Sequence, residues 1–191
     1  IAEIQSLKPS RLRILSLFSG HAETDIRRSP IPSSSGNLVL EEVSLQGPAR
    51  VPTIEKIDLS IASGECIGIV AGNGSGKRSL LRGMAGLTSL YYGTIRLDGN
   101  DISRFDVGSV RRRIAFIPRN PDLVSGTIAD NIAMYDETLA ERAIAVADTL
   151  GLSDSSPLLP DGISTHIDSR SPLPYFLRQR IAFARALVRR P

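Results

Sequence analysis

The stretch that decides the fold runs from Cys66 to Ser79 and reads CIGIVAGNGSGKRS. Residues 66–70 are apolar apart from Gly68, which is typical of a strand buried on both faces, so we predict a buried strand there. Three glycines follow, and helical spacing resumes with Leu80 and Met84. A strand, a glycine-rich loop and a helix in this order are the context in which a phosphate-binding loop is expected.

The three glycines explain how this loop could bind an anion. Glycine reaches backbone angles that are closed to other residues, so several N–H groups can turn toward one phosphate. The helix that starts near Lys77 adds its positive end, and the lysine adds a mobile ammonium group. The alternative is a plain glycine turn before a helix, but the preceding strand and the GSGK core favour a phosphate site. The candidate binding residues are Gly72, Asn73, Gly74, Ser75, Gly76, Lys77, Arg78 and Ser79.

Composition limits the class of protein. A chain of 191 residues with 41% hydrophobic content suits one globular domain. The formal charge is +3, but the basic residues are spread among nearly as many acids, so no nucleic-acid partner is expected. One cysteine, Cys66, excludes a disulfide framework and a cysteine-based metal site, which fits a reducing compartment. No charge-free apolar stretch approaches the roughly 18 residues needed to cross a bilayer.

The chain has two parts. Ile1 to about Gly20 has the apolar spacing of a short amphipathic helix among basic residues, and residues 28–36 (RSPIPSSSG) indicate a linker. We therefore take residues 1–36 as a leading segment and start the compact domain near Asn37. Strands are predicted at 39–43 and 56–61, and Asp98-Gly99 is a hairpin signal.

Two amphipathic helices are predicted in the second half of the chain. The first covers 137–150 with apolar positions at Leu139, Ile144, Ala147 and Leu150, and it ends at Gly151. The second is the last helix of the sequence, which has one apolar face. The arginines on its other side are interpreted as solvated. The apolar face comprises Leu177, Ile181, Ala184 and Val188, and the arginines are Arg178, Arg185 and Arg189.

Six motifs occur in the order and spacing of a known family. They are GNGSGK (72–77), YGTIRLDG (92–99), IAFIP (114–118), SGTIADNI (125–132), LPDGIST (159–165) and RQRIAFARAL (178–187). On these motifs, the chain from about Asn37 to its end resembles the nucleotide-binding domain of an ABC transporter, of the exporter type. The stretch 46–48 (QGP) has no aromatic residue to stack on adenine, and in this it looks most like the type I secretion branch.

The resemblance implies a fold, a cofactor and partners. The fold would be α/β, with a P-loop NTPase-type core sheet, an antiparallel β subdomain and a helical subdomain at about 120–180, incomplete at the C-terminus. Residues 1–36 would lead from a membrane segment into a partial nucleotide-binding domain at 37–191. ATP is the implied cofactor. A second nucleotide-binding domain, as a homo- or heterodimer, and a transmembrane domain are the implied partners, at the cytoplasmic face of the inner membrane.

The sequence departs from the family pattern inside the phosphate loop. Ala71 replaces the first loop glycine, and Arg78 replaces the serine or threonine whose hydroxyl ligates Mg²⁺ in the family. Arg78 offers no oxygen, and Ser79 is rotated from that position by about 100° along the helix, so the Mg²⁺ ligands are left open. Two roles remain for Arg78: it neutralises phosphate directly, or it points into solvent.

Two further departures affect the chemistry. Arg119 stands where the family has the glutamine of the Q-loop, and an arginine cannot accept a hydrogen bond from water as an amide oxygen can. The family's signature loop, a serine followed by two glycines and a glutamine, is replaced here by an apolar sequence. Proline lacks an N–H group, and a phenylalanine brings bulk to a glycine position. The signature-equivalent residues are Leu173, Pro174, Tyr175, Phe176 and Leu177.

Hydrolysis is expected to be weak in this chain. The sequence ends at Pro191, where the resemblance implies the acidic strand and the catalytic glutamate. Because Arg119 holds the Q-loop position, no catalytic residue is assigned. Two functions are open. One is the ATP-binding domain of an exporter that couples ATP binding and dimerisation to transport. The other is a non-hydrolysing regulatory half paired with a competent ATPase subunit.

Overall fold

The computed structural model describes residues 28–32, 35–46, 52–155, 157–168 and 173–191. The strands there are β1 (Leu38–Gln46), β2 (Pro52–Ile61), β3 (Tyr92–Leu97), β4 (Asn100–Asp101), β5 (Gly126–Thr127) and β6 (His166–Ile167). The α-helices are α1 (Lys77–Met84), α2 (Val107–Arg113), α3 (Ile128–Ala133), α4 (Ala140–Thr149) and α5 (Tyr175–Val188). Short 3₁₀ helices lie at Ile102–Arg104, Glu137–Leu139 and Gly162–Ser164. The helix predicted near residues 1–20 lies outside the described residues.

Four strands form an antiparallel sheet in the order β2, β1, β3, β4. The turn between β3 and β4 consists of Asp98 and Gly99, with φ of 48° and 78°, and Leu97 pairs with Asn100 across it. Positive φ at both turn residues is the geometry of the hairpin turn that Asp-Gly favours. The predicted strands within β1 and β2 and the predicted hairpin are confirmed.

One face of this sheet packs on α1. Alternate residues of the strands point to that face, and the apolar positions of α1 meet them. The buried residues of this cluster are Leu40, Val43, Leu45, Ile54, Leu80, Met84 and Ile95. A Cβ added at Gly83 would lie 3.3 Å from the Leu45 side chain, so the glycine lets helix and sheet approach closely. Each leucine or isoleucine buried here contributes about 1.5–3 kcal/mol.

The three helices α3, α4 and α5 enclose a second core. Its fully buried members include Ile128, Ile132, Ala143, Ala147, Leu152, Ile181, Ala184 and Val188. The predicted apolar face of α5 is therefore confirmed. On α4 the prediction is wrong at Ile144, which is 50% exposed, because Ala143 occupies the buried position one residue earlier on the helix. The small alanines let the helices approach each other closely.

Polar groups at the start of α3 are satisfied by nearby residues. Thr127 and Asp130 form a capping box at the start of α3. Asn131 is fully buried, and its amide group donates to the carbonyls of Val124 (2.9 Å) and Thr127 (3.0 Å) while its oxygen accepts from the Val124 N–H group (2.9 Å). A buried amide with partners on both ends avoids the desolvation cost of an unpaired polar group, so Asn131 fixes the turn that leads into α3.

The strand predicted at residues 66–70 is absent, and so is the one implied at 114–118. Cys66 is exposed, Val70 is 96% exposed, and only Ile69 packs against the sheet cluster. A strand needs a hydrogen-bonded neighbour, and within the described ranges no strand pairs with either stretch. An apolar run marks a segment suited to burial but does not supply its neighbours. Every strand pair that the structure describes is antiparallel.

Part of the predicted linker contacts the domain. Ile31 is 5% exposed and packs with Leu97 and Val110, and its N–H group donates to the Ser109 hydroxyl at 3.0 Å. The Asp98 carboxylate accepts hydrogen bonds from the Ser35 hydroxyl (2.7 Å) and the N–H groups of 35–37, and these bonds lower the pKa of Asp98, the Ser35 hydroxyl most strongly. The boundary near Asn37 stays a prediction. None of the described helices has the length and apolar character that spanning a membrane requires.

Candidate functional site

The glycine loop leads into α1 through two residues in the left-handed region. Gly74 has φ of 78°, and Gly76, the N-cap residue of α1, has φ of 85°. A Cβ at Gly76 would lie 2.8 Å from the Ile54 side chain and 3.0 Å from the Thr53 carbonyl oxygen. Position 76 therefore requires glycine for both its angle and its space. Gly72 has an ordinary φ and no atom within 4 Å of an added Cβ.

The start of α1 leaves backbone donors open. No side chain caps the helix, and the first helical bond joins the Leu80 N–H group to the Gly76 carbonyl at 2.9 Å. Within the ranges described, the N–H groups of Lys77, Arg78 and Ser79 have no backbone or side-chain acceptor. Such groups carry the positive end of the helix dipole. An exposed anion next to the loop would satisfy them.

Lys77 places its ammonium group on the same loop. Nζ donates to the carbonyls of Ala71 and Gly72, the latter at 2.7 Å, and lies 3.5 Å from the Ser75 hydroxyl. These bonds join the two ends of the loop around one positive charge. The lysine is half-buried while residues 71–75 are exposed, so the charge lies at a surface that a ligand can reach.

Arg78 and Ser79 differ in exposure. Arg78 is exposed and Ser79 is half-buried, and the described residues offer neither side chain a hydrogen-bond or ion-pair partner. Across that same portion of the chain, no group of three or more histidine, cysteine, aspartate or glutamate residues could hold a metal ion. The open N–H groups and the ammonium group at the loop suit a polyphosphate.

Arg119 lies in the segment between α2 and β5, and its side chain is exposed. Its backbone is held by α5: the Gln179 side-chain amide donates to the carbonyl of Arg119 and to that of Pro118, the latter at 3.3 Å. The segment's position is therefore set through main-chain carbonyls rather than through the residue type at 119. Among the residues that the structure describes, no hydrogen bond joins this segment to the glycine loop.

The signature-equivalent residues surround the start of α5. Pro174 is its N-cap residue, with no side-chain capping bond, and its carbonyl accepts from the Leu177 N–H group at 3.1 Å. Tyr175 and Phe176 are 56% and 49% exposed, whereas Leu177 is 3% exposed and belongs to the helical core. Leu173 packs against that core from outside. Bulky apolar groups thus surround this helix start, where a phosphate would need access to N–H groups.

Sequence reasoning was wrong about two arginines of α5. Arg178 donates to the Pro121 carbonyl at 2.9 Å, and Arg185 donates to the carbonyls of Asn131 (2.9 Å) and Asp122 (3.1 Å). Burial lowers the pKa of Arg185, and the charge of Asp122 opposes that shift. Both arginines are half-buried structural residues, while Arg189 is exposed as predicted. Their spacing of seven residues, which places them on one helix face, was the available signal.

Comparison with known proteins identifies the family. Residues 54–191 match the family described as ABC transporter. The chain belongs to the ABC transporter family. This ABC domain is 30% identical over 164 residues to a type I secretion system ATP-binding protein of Rhizobium meliloti, with 84% of this chain and 28% of that protein covered. It is 33% identical over 162 residues to an ABC multidrug transporter of Trichophyton equinum, with 82% of this chain and 12% of that protein covered.

A solved structure supports the fold of this ABC domain. A bacterial Atm1-family ABC exporter with ATP bound aligns with a TM-score of 0.79 at 23% identity, over 98% of this chain and 34% of that one. The likeness confirms the predicted mixed α/β architecture with an antiparallel sheet and a helical region. The domain spans less than a third of the length of the two relatives named above. The family match and these relatives confirm the resemblance to ABC exporters that the motifs indicated.

Proposed function

We propose that this chain is the ATP-binding domain of an ABC-type exporter and that it holds the phosphates of ATP on residues 72–79. The observation that carries the proposal is the start of α1, where open N–H groups and the Lys77 ammonium group lie beside one exposed loop. On binding, Nζ exchanges the carbonyls of Ala71 and Gly72 for phosphate oxygens. Because those carbonyls already hold the ammonium group near the loop, little side-chain ordering remains to be done.

Arg78 shapes how a metal ion contributes to this binding. ATP is ordinarily bound with Mg²⁺, which neutralises phosphate charge. Arg78 has a permanent positive charge, is exposed on the first turn of α1 and has no partner within the described chain. A guanidinium group can neutralise phosphate oxygens directly, whereas it cannot ligate a cation. We therefore propose that ATP binding depends only weakly on Mg²⁺.

Hydrolysis is the step that the substitutions weaken. Arg119 cannot orient an attacking water through an amide oxygen. In the family, the signature loop of one domain grips the ATP held by another. Here Pro174 has neither the serine hydroxyl nor an N–H group, and Phe176 brings an aromatic ring to a glycine position. The chain would bind ATP well and turn it over slowly. Arg78, Arg119 and the replaced signature loop also favour the alternative role, a non-hydrolysing regulatory half beside a competent ATPase subunit.

The partners and location follow from the family's architecture. A second nucleotide-binding domain would close on the bound ATP, and a transmembrane domain would transmit that closure to the transported substrate. The domain would lie at the cytoplasmic face of the membrane. ATP then acts as a ligand that stabilises the dimer by mass action, whether or not it is hydrolysed. A phosphate-release assay separates the two roles, since rapid turnover by the pure chain would eliminate the non-hydrolysing one.

The loop is tested by Lys77→Ala, with Lys56→Ala as the matched control. Both changes remove one lysine, but Lys56 lies on β2 and is exposed, and within the described residues no hydrogen bond or ion pair joins its side chain to the loop. Calorimetric titration with ATP should show that Lys77→Ala weakens binding by about 30-fold or more, which is about 2 kcal/mol and is typical of a lost charge-assisted contact. Lys56→Ala should bind as the unchanged chain does. Equal affinity for the two variants would reject the loop as the binding site.

A further inference from the structure

A shallow depression on the antiparallel sheet is bordered by two neighbouring tyrosines. Tyr91 and Tyr92 are 64% and 58% exposed, although the chain has only four tyrosines and no tryptophan. The depression, with a volume of 330 Å³, is lined by Glu42, Ser44, Glu55, Lys56, Tyr91 and Tyr92. A second depression of 470 Å³ is also lined by Glu42 and Tyr92, and by Glu41. We call these six charged and aromatic residues, Glu41, Glu42, Glu55, Lys56, Tyr91 and Tyr92, the tyrosine surface.

The sheet backbone builds this surface. Ser44 pairs with Tyr92, and the Tyr91 N–H group donates to the Ser44 carbonyl at 2.9 Å, which fixes both tyrosines beside β1. The register between β1 and β3 shifts between Glu41 and Ser44. A Cβ at Gly93 would lie 2.5 Å from the Glu42 carbonyl oxygen, so only glycine allows the two strands to approach here. Tyr92 and the three carboxylates therefore lie on paired strands, and Tyr91 directly precedes β3, where its N–H group is bonded to β1.

The charge of the tyrosine surface is opposite to that of the whole chain. Glu42 and Glu55 are exposed, and no cationic side chain within the described ranges forms an ion pair with either of them. Glu41 pairs with Arg96 at 3.1 Å, and Lys56 is the one basic residue that lines the first depression. The chain carries a formal charge of +3, so a local excess of carboxylates beside exposed rings is a specific feature and not a consequence of composition.

We propose that the tyrosine surface binds an arginine-bearing segment of a partner protein. A guanidinium group stacks on aromatic faces and donates in a fork that matches a carboxylate. The surface supplies both components side by side, with tyrosine, which is enriched in protein interfaces, at its centre. Two depressions that share Glu42 and Tyr92 suit two side chains of one extended segment. None of these residues belongs to the glycine loop, so the interaction does not require ATP.

The test uses the full chain and a fluorescent octapeptide of glycine and serine with two arginines at alternate positions. Anisotropy should show saturable binding with Kd on the order of 0.1–1 mM, as expected of a small exposed interface. The same peptide with citrulline, which keeps the shape but not the charge, should bind at least about fivefold more weakly. A citrulline peptide that binds equally well would overturn the proposal, and so would the absence of binding by the arginine peptide.

Variants separate this surface from general charge. Glu42→Gln with Glu55→Gln should weaken peptide binding about fivefold or more. The control, Glu137→Gln with Glu141→Gln, changes two exposed carboxylates of the helical region and raises the net charge equally, from +3 to +5. It should leave Kd within twofold. Equal weakening in both double variants would mean that only overall charge matters and would reject the tyrosine surface. All four positions are exposed, so folding should persist.

The aromatic contribution is tested by Tyr91→Leu with Tyr92→Leu, which keeps apolar bulk but removes the rings. Cation–π attraction depends on the ring quadrupole, so the arginine peptide should lose binding while the citrulline peptide changes little. Equal affinity of this variant and the unchanged chain for the arginine peptide would refute stacking on the tyrosines. ATP titration of the same variants should match the unchanged chain, so failure of this proposal remains distinguishable from failure of the ATP site.

Discussion

The starts of α1 and α5 differ in the residues that form their first turns. Neither helix has a side-chain cap. At α1, glycines and Lys77 leave an exposed loop with open donors. At α5, the N-cap residue is Pro174, and the first turn carries two bulky, half-exposed aromatic residues, Tyr175 and Phe176. The comparison shows that neither helix depends on a side-chain cap, and that a buried face holds α5 whatever residues form its first turn.

The buried face of α5 should contribute more to the free energy of unfolding than its exposed face. Ile181 is fully buried between α3 and α4. Ile181→Ala should lower the free energy of unfolding by about 2–5 kcal/mol, since it removes buried methylene groups and leaves a cavity. Phe183→Ala, at a 49% exposed position of the same helix, is the control and should cost less than about 1 kcal/mol. Chemical denaturation measures both, and similar losses would contradict a helix held by one face.

The loop at α1 is tested by a glycine pair. Gly76→Ala adds a Cβ at φ 85° against Ile54 and Thr53, so we expect about 1–3 kcal/mol of destabilisation and loss of ATP binding. Gly72→Ala, at an ordinary φ with open space, should change stability by less than about 0.5 kcal/mol. Thermal melts and ATP titrations of the two variants compare them directly. An unaffected Gly76→Ala protein would show that the loop geometry is wrong.

Arg78 gives a finer test of the same helix start. Arg78→Ser restores a hydroxyl at the position where the family places a metal ligand and removes a fixed positive charge. Magnesium should then strengthen ATP binding by about tenfold, or 1.4 kcal/mol, whereas it should change the affinity of the unchanged chain by less than about threefold. Titrations with Mg²⁺ and with a chelator measure the ratio. An identical response in both proteins would count against the register assigned to this loop.

The smallest expected effect concerns the first turns of α5. Gln179 holds the carbonyls of Pro118 and Arg119, which are partly exposed bonds. Gln179→Ala should cost only about 0.5–1.5 kcal/mol, but amide exchange at Arg119, Asn120 and Asp122 should rise several-fold. Exchange in β1 serves as the internal control and should not change. Unaltered protection of the segment would mean that Arg178 and Arg185 position it without Gln179.

Local signals in the sequence were sufficient for much of the fold. Asp98-Gly99 fixed a hairpin, and the spacing of Ile181 and Ala184 fixed a buried helix face, because turn chemistry and periodicity act within a few residues. The prediction of a buried strand at residues 66–70 was wrong, because a strand depends on pairing neighbours that a sequence pattern does not reveal. The interpretation of Arg178 and Arg185 as solvated was wrong, because their hydrogen-bond acceptors, such as the carbonyl of Pro121, lie more than fifty positions away in the chain.

Some features of the candidate site could also be predicted from local sequence, and others could not. The glycines at 74 and 76 were predictable, since only glycine suits their backbone angles. The bonds from Lys77 to the carbonyls of its own loop were not, because a mobile side chain has several partners within reach. The tyrosine surface was also beyond sequence reasoning. It depends on a register shift between β1 and β3, which places Tyr92 beside Ser44 and Glu42.

Amide chemical shifts recorded during an ATP titration without Mg²⁺ test the central claim most directly. The account predicts that the largest changes fall on the N–H groups of residues 72–79, at the start of α1, while those of Tyr175 and Phe176 at the start of α5 stay within the range of the remaining amides. Shifts concentrated at α5, or a loop that does not respond to saturating ATP, would contradict it.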